Sequence, residues 1–139
     1  VFVPHLPKTY ANGATFWLDG RPVIQLSLRG TYDDRFWFTV FHEAGHLVLH
    51  GKQEVFIEDS GLSSQQEEEA DTFARDILIP PDRYHAFVRG RQLFPEAAVR
   101  EFARDLGIST GIVVGRLQHD HHLPPTHLNG LKRKLVWAE

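Results

Sequence analysis

Three side chains in the stretch FWFTVFHEAGHLVLH, residues 36 to 50, have the types and spacing for hydrolytic chemistry at a metal: His42, Glu43 and His46, in the order HExxH. On a helix, at about 100° per residue, positions four apart fall on one face. Two imidazoles can then reach a single cation while Glu43 stands beside it as a proton acceptor. A chain with nine histidines meets this pattern by chance often enough that the reading requires a third ligand.

A second helical stretch offers one. Residues 67 to 71 read Glu-Glu-Glu-Ala-Asp within a pattern that starts at Ser63 or Ser64 and runs to Ile79, where Pro80-Pro81 stops it. Counted from Glu67, Asp71 lies about 40° round the helix and Ala74 about 20° the other way, with Ala70 and Ile77 beyond it. Glu67 and Asp71 therefore share the apolar, inward face, Glu68, Arg75 and Asp76 point away, and Glu69 sits at the border. Two carboxylates on a buried stripe need a cation or strong hydrogen bonds to remain there. Glu67 is the expected third ligand, with Glu69 as its competitor. Asp71, one turn further on, is placed to accept the free ring N–H of a ligating imidazole, His42 first among them, and so to fix its tautomer. Two His and one carboxylate leave a coordination position open, which separates a catalytic zinc site from a closed structural one. Manganese, iron and cobalt suit the same donors.

Composition narrows the alternatives. A chain of 139 residues, 42% hydrophobic and 24% charged, has the length and balance of one soluble globular domain. Cys is absent, so disulfides and thiolate ligands are excluded and any metal is held by imidazole and carboxylate. The lack of Cys also fits a reducing cytoplasm. No apolar run approaches the roughly 20 residues of a membrane-spanning helix, and no charged-then-apolar signal opens the chain. Met is absent even at position 1, which points to a domain cut from a longer protein or to a processed chain. Residues 1 to 88 carry a net formal charge of −6 and residues 89 to 139 of +3, and neither value calls for a nucleic-acid partner.

The elements that must position the candidate residues follow from periodicity and punctuation. Val1 to Pro4 reads as a short edge strand, and Pro4 and Pro7 as the start of an extended loop. Ala14 to Leu18, Asp19-Gly20 and Pro22 to Leu28 read as a β-hairpin, because Asp-Gly supplies the positive φ angles of a tight turn. The strand from Val23 to Leu28 would offer an edge to an extended substrate. Asp33 or Asp34 is placed to cap the histidine helix, which should run to Gly51 with Trp37, Val40, Phe41, Ala44, Leu47 and Val48 as its buried arc. Residues 52 to 62 read as a loop, and Ser64 with Glu67 as a capping box. Residues 82 to 91 read as a short helix and turn. Pro95 to Leu106, closed by Gly107, forms a third helix, and Ser109 caps a fourth that reaches about His119.

HEAGHLVLH followed by EEEADTFARDILIP resembles the ImmA/IrrE-type metallopeptidases, whose hallmark is HExxH, a downstream E-x-E-A-D/N-x-F-A and a Leu-rich stretch ending in Pro. The likeness is close over residues 36 to 81 and looser over FARDLGISTGIVVGRLQ, and the Glu-x-x-x-Asp pattern is similar to that of gluzincins generally. What the resemblance implies is a zinc endopeptidase-like domain with one Zn2+, often joined to a DNA-binding helix-turn-helix segment, in a family whose members cleave repressors in stress response or mobile-element control.

The expected fold is α+β: a small N-terminal β-sheet on a zincin-like helical core over residues 1–91, with the HExxH helix and a second ligand helix. A helical, helix-turn-helix-like segment over residues 92–139 follows, packed on that core as one compact unit. In the expected chemistry His42, His46 and Glu67 hold the metal, Glu43 is the general base and Asp71 orients a ligand. Tyr32, Tyr84, His85, His119, His121 and His122 stay open as donors to an oxyanion. His119-Asp120-His121-His122 could form a second metal cluster, although a polar helix end is the simpler reading. His50 lacks the metzincin spacing and fits a supporting or buried structural role. The expected partner is a protein or peptide substrate such as a repressor, with no membrane. DNA reading is disfavoured, since residues 109 to 119 present only Arg116 and Gln118, late in the helix. The rival reading is a non-catalytic metal-binding sensor or regulatory module of a helix-turn-helix transcription factor or an antitoxin.

Overall fold

The computed structural model describes residues 13–27, 31–51 and 64–136. The expected strand at residues 1–4, the proline loop after it, the loop at residues 52–62 and a helix start at Ser63 lie outside the described residues. The chain is α+β: an antiparallel hairpin followed by five α-helices. Strands β1 (Gly13–Leu18) and β2 (Arg21–Leu26) pair in register, Thr15 opposite Ile24, around a turn in which Asp19 and Gly20 both take positive φ. No helix among the described residues is long and apolar enough to cross a membrane.

Helix α1 (Asp33–Gly45) carries the HExxH residues, and its continuation differs from the expected single helix to Gly51. His46–His50 form a π-helical turn before Gly51 ends the run with positive φ. Such turns insert where side chains must be re-aimed, and they recur at functional sites. The start of α1 also departs from expectation. Its N-cap is Tyr32, with no side-chain cap, and Asp33 and Asp34 lie inside the first turn. The Asp33 carboxylate bonds both locally and across the fold: it accepts from the Asp34 N–H at 3.0 Å, from the Ser109 hydroxyl and, at 3.0 Å, from the backbone N–H of Arg133. Asp34 is paired with Lys132 at 2.6 Å. Through these contacts the C-terminal segment is fastened to the first turn of α1.

Of the arc expected to be buried, Val40, Phe41, Ala44 and Leu47 are only partly so on α1 and its π turn. Buried on them are Asp33, Glu43, Gly45 and His46, while Trp37 is 41% exposed and Val48 67% exposed. The hydrophobic core lies among the later elements. It joins Ile79 to α3 (Pro81–Val88), α4 (Glu96–Leu106) and α5 (Thr110–His119), with Val99, Val113, Val114 and Leu117 fully enclosed. Each such side chain contributes about 2 kcal/mol by leaving water. Helix α4 ends at Gly107 in the left-handed region, and Ser109 caps α5 by accepting from the Gly111 N–H. Both features were legible in the sequence.

Helix α2 (Ser64–Leu78) packs along α1. The two backbones meet at Gly45 and Ala70, where a Cβ added to Gly45 would stand 3.2 Å from the Ala70 Cα and 3.1 Å from the Phe73 ring. The buried line of α2 runs through Ala70 and Ala74, so the inward face is centred to one side of the expected one. Ile77, although on the same side, is half exposed rather than buried. This small-residue contact sets Glu67 and Asp71 at the rim of the interface, across from His42 and His46.

Candidate metal centre

Glu67 faces both histidines. One carboxylate oxygen lies 3.3 Å from His42 Nε2 and the other 3.4 Å from His46 Nε2. The two Nε2 atoms are 3.0 Å apart. His42, His46 and Glu67 thus bring one donor atom each within 4.8 Å of one another, and they are positioned to hold a metal. Among the described residues they are the set of three or more His and carboxylate groups with this geometry.

The chemistry of the donors fits a divalent ion. Asp71 Oδ1 lies 2.8 Å from His42 Nδ1. An ionised carboxylate only accepts, so Nδ1 carries the proton and Nε2 presents a lone pair towards Glu67 and His46. Burial, and then the charge of the adjacent His42, push the pKa of His46 below its ordinary 6.5. A neutral imidazole is the form that binds metal. Lone pairs gathered this closely repel one another unless a cation sits among them.

Glu43 is held from the sheet. It is 9% exposed, and the Thr15 hydroxyl of β1 donates to its Oε2 at 2.6 Å. A Cβ on Gly13 would come 2.9 Å from Glu43 Oε1 and 2.7 Å from Thr39 Cγ2, so the strand lies against this carboxylate only because position 13 has no side chain. Neither Thr15 nor Gly13 stood out in the sequence, because nothing local links a hairpin residue to a side chain 28 positions on.

Glu69, the competitor for third ligand, is engaged elsewhere. Its carboxylate contacts His50 Nε2 at 3.0 Å and Gln65 Nε2 at 2.9 Å, and the hydrogen bond from His50 lowers its pKa. The His119-Asp120-His121-His122 run is a helix end. Asp120 pairs with Arg116 at 2.6 Å and with His119 at 3.0 Å, while His122 packs 5.5 Å from the Phe94 ring. Tyr84 is buried in the core under the Arg116 guanidinium, which stands 4.2 Å from its ring. Its hydroxyl has no well-formed hydrogen bond, and burial, with Asp120 nearby, raises its pKa. Tyr32 sits at the start of α1, ten residues before His42 and so about 15 Å away along the axis. Asp71 also helps line a pocket of about 290 Å3 between α1, α2 and α5, together with Arg35, Phe38 and Arg75.

The family model described as the IrrE N-terminal-like domain, a peptidase family, matches residues 1–118, a span that includes every residue of this centre. No curated protein matches the chain.

Proposed function

Because the chain belongs to the IrrE N-terminal-like peptidase family, we propose that it is a zinc-dependent endopeptidase that hydrolyses a peptide bond in a protein substrate. A transcriptional regulator is the substrate class that the likeness to ImmA/IrrE-type enzymes suggests. The observation that carries the reading is the convergence of His42, His46 and Glu67 beside a buried glutamate. Two His and one carboxylate hold Zn2+ with a position to spare. The chemistry such an ion supplies when bound is Lewis acidity towards a peptide carbonyl and towards water.

The remaining work falls to the chain. Glu43 is the general base: it takes the proton of the attacking water and passes it to the leaving amine. Thr15 holds that carboxylate in one rotamer and removes the need to reorganise it during proton transfer. Asp71 orients His42. The hairpin lies against Glu43, and an extended peptide laid along its edge would be read through backbone hydrogen bonds, with little dependence on sequence.

The test combines metal analysis of the purified chain with incubation against candidate repressors. Glu43→Gln should retain the metal and lose hydrolysis by at least about a hundredfold. Unchanged turnover in that variant would remove Glu43 from the mechanism. Stoichiometric metal with no cleavage by the native chain would instead identify a metal-binding regulatory module.

A further inference from the structure

A row of polar contacts extends behind His46, away from the third ligand. His46 Nδ1 lies 3.2 Å from His50 Nδ1, and His50 Nε2 lies 3.0 Å from Glu69 Oε2. The other Glu69 oxygen accepts from the Gln65 amide at 2.9 Å. The His50 side chain is 6% exposed, so water does not compete freely for it, whereas Glu69 stands at the surface.

Only one arrangement of protons satisfies this row with His46 as a ligand. The Glu69 carboxylate can only accept, so His50 Nε2 donates. A neutral His50 then has a bare Nδ1, which can only accept, so His46 Nδ1 donates to it. That leaves His46 Nε2 with its lone pair directed at Glu67 and at His42 Nε2, 3.0 Å away. His42 reaches the same state through Asp71 in a single step. The π-helical turn contributes by re-aiming His50 relative to His46, since the side chains would otherwise follow the spacing of an α-helix.

We infer that Glu69 and His50 form a positioning relay that locks His46 in the tautomer able to bind metal at Nε2. Glu69 is thereby the anchor of the relay, which settles its competition with Glu67 by giving it other work. His50 is a positioning residue: it acts on the site through His46. The inference rests on the metal-centre reading proposed above, and it extends that reading from the three ligands to the charge that orients the second of them.

Two measurements on the full chain test it. In the first, zinc affinity is read by competition with a chromophoric chelator. His50→Leu, which fills the space without an acceptor, should weaken binding about 10- to 100-fold. His50→Gln can accept from His46 and donate to Glu69, and it should stay within about threefold of the native chain. Glu69→Ala should fall between native and His50→Leu, far short of the loss in Glu67→Ala. Native affinity in His50→Leu would overturn the relay, as would a loss in Glu69→Ala as deep as in Glu67→Ala. Far-UV circular dichroism checks that each variant folds, and the glutamine variant keeps the test open should the leucine variant not fold. The second measurement reads the imidazole nitrogens of 15N-labelled, metal-free chain by NMR. A protonated Nδ1 and bare Nε2 on His46 support the relay, and the opposite tautomer refutes it. Neither readout involves peptide cleavage, so a chain that binds zinc through the relay yet cleaves nothing would count against the peptidase reading alone.

Discussion

Replacing Asp71 by Asn tests how much of the metal affinity comes from the orientation of His42. The native contact is 2.8 Å from Asp71 Oδ1 to His42 Nδ1, and it leaves Nε2 bare at 3.3 Å from Glu67. An amide preserves the size but removes the charge, and it can turn its NH2 to Nδ1 and favour the wrong tautomer. Partners of this kind are worth 10- to 100-fold in metal affinity, about 1.4 to 2.8 kcal/mol. The Asp71 side chain is 51% exposed, so solvent and salt screen part of its charge. The low end is therefore expected: a loss of about tenfold, or about 1.4 kcal/mol, that narrows as salt is raised. Because the side chain is half exposed, the metal-free fold should change by no more than about 0.5 kcal/mol. The assay is zinc competition against a chelator at fixed pH and two salt concentrations, with urea unfolding of the metal-free chain as control. Glu68→Gln, on the outward face of α2, provides the comparison for a carboxylate that is not part of the centre. Affinity within twofold of native in Asp71→Asn, with an unchanged fold, would refute the argument that Asp71 orients a ligand.

Two other outcomes follow from contacts already described. Gly13→Ala would put a Cβ 2.7 Å from Thr39 Cγ2 and 2.9 Å from Glu43 Oε1, so the strand or the glutamate must move. A loss of about 1 to 3 kcal/mol in urea unfolding should accompany reduced hydrolysis, and a variant native in both would show that β1 does not hold Glu43. In the Arg116–Asp120 pair, burial works against ionisation of Asp120, but hydrogen bonds from His119 and Arg116 outweigh it and hold the pKa down at about 2, below the ordinary 3.8. A depressed carboxylate stabilises the fold above its unfolded pKa and loses that contribution as pH falls through the folded one. Up to about 2 kcal/mol should therefore disappear between about pH 4 and pH 2. Asp120→Asn should flatten that part of the stability curve, and an unchanged acid limb would refute the assignment.

The match between sequence and structure is closest where the physics is local. The hairpin, the closure of α4 at Gly107, the Ser109 cap and the stop before Pro80 each depend on residues within a few positions of one another. HExxH belongs to the same class, because helical geometry alone aligns His42 with His46. Glu67 could be chosen over Glu69 from the wheel because a carboxylate on an inward face needs a partner. The same reasoning placed Asp71 near His42 but set both Glu67 and Asp71 too deep, their side chains being 44% and 51% exposed, since helix angles give direction and not depth.

Local pattern thus specified the donors and the helices that carry them. Tertiary structure decided the distances and the supporting contacts. The approach of α1 to α2 depends on Gly45 meeting Ala70 across 25 positions of chain, and the grip on Glu43 depends on a hydroxyl from β1. Asp33 stands inside the helix rather than at its N-cap, and its buried carboxylate accepts from Ser109 and the Arg133 N–H as well as from the neighbouring Asp34 N–H, so only the last of these partners could be anticipated locally. The π-helical turn at His46–His50 has no local signal either. The contact from its last residue, His50, to Glu69 exists only once the two helices have packed. A buried polar group takes whichever partner the completed fold brings near, and that choice is made by packing across the chain rather than by any one stretch of it.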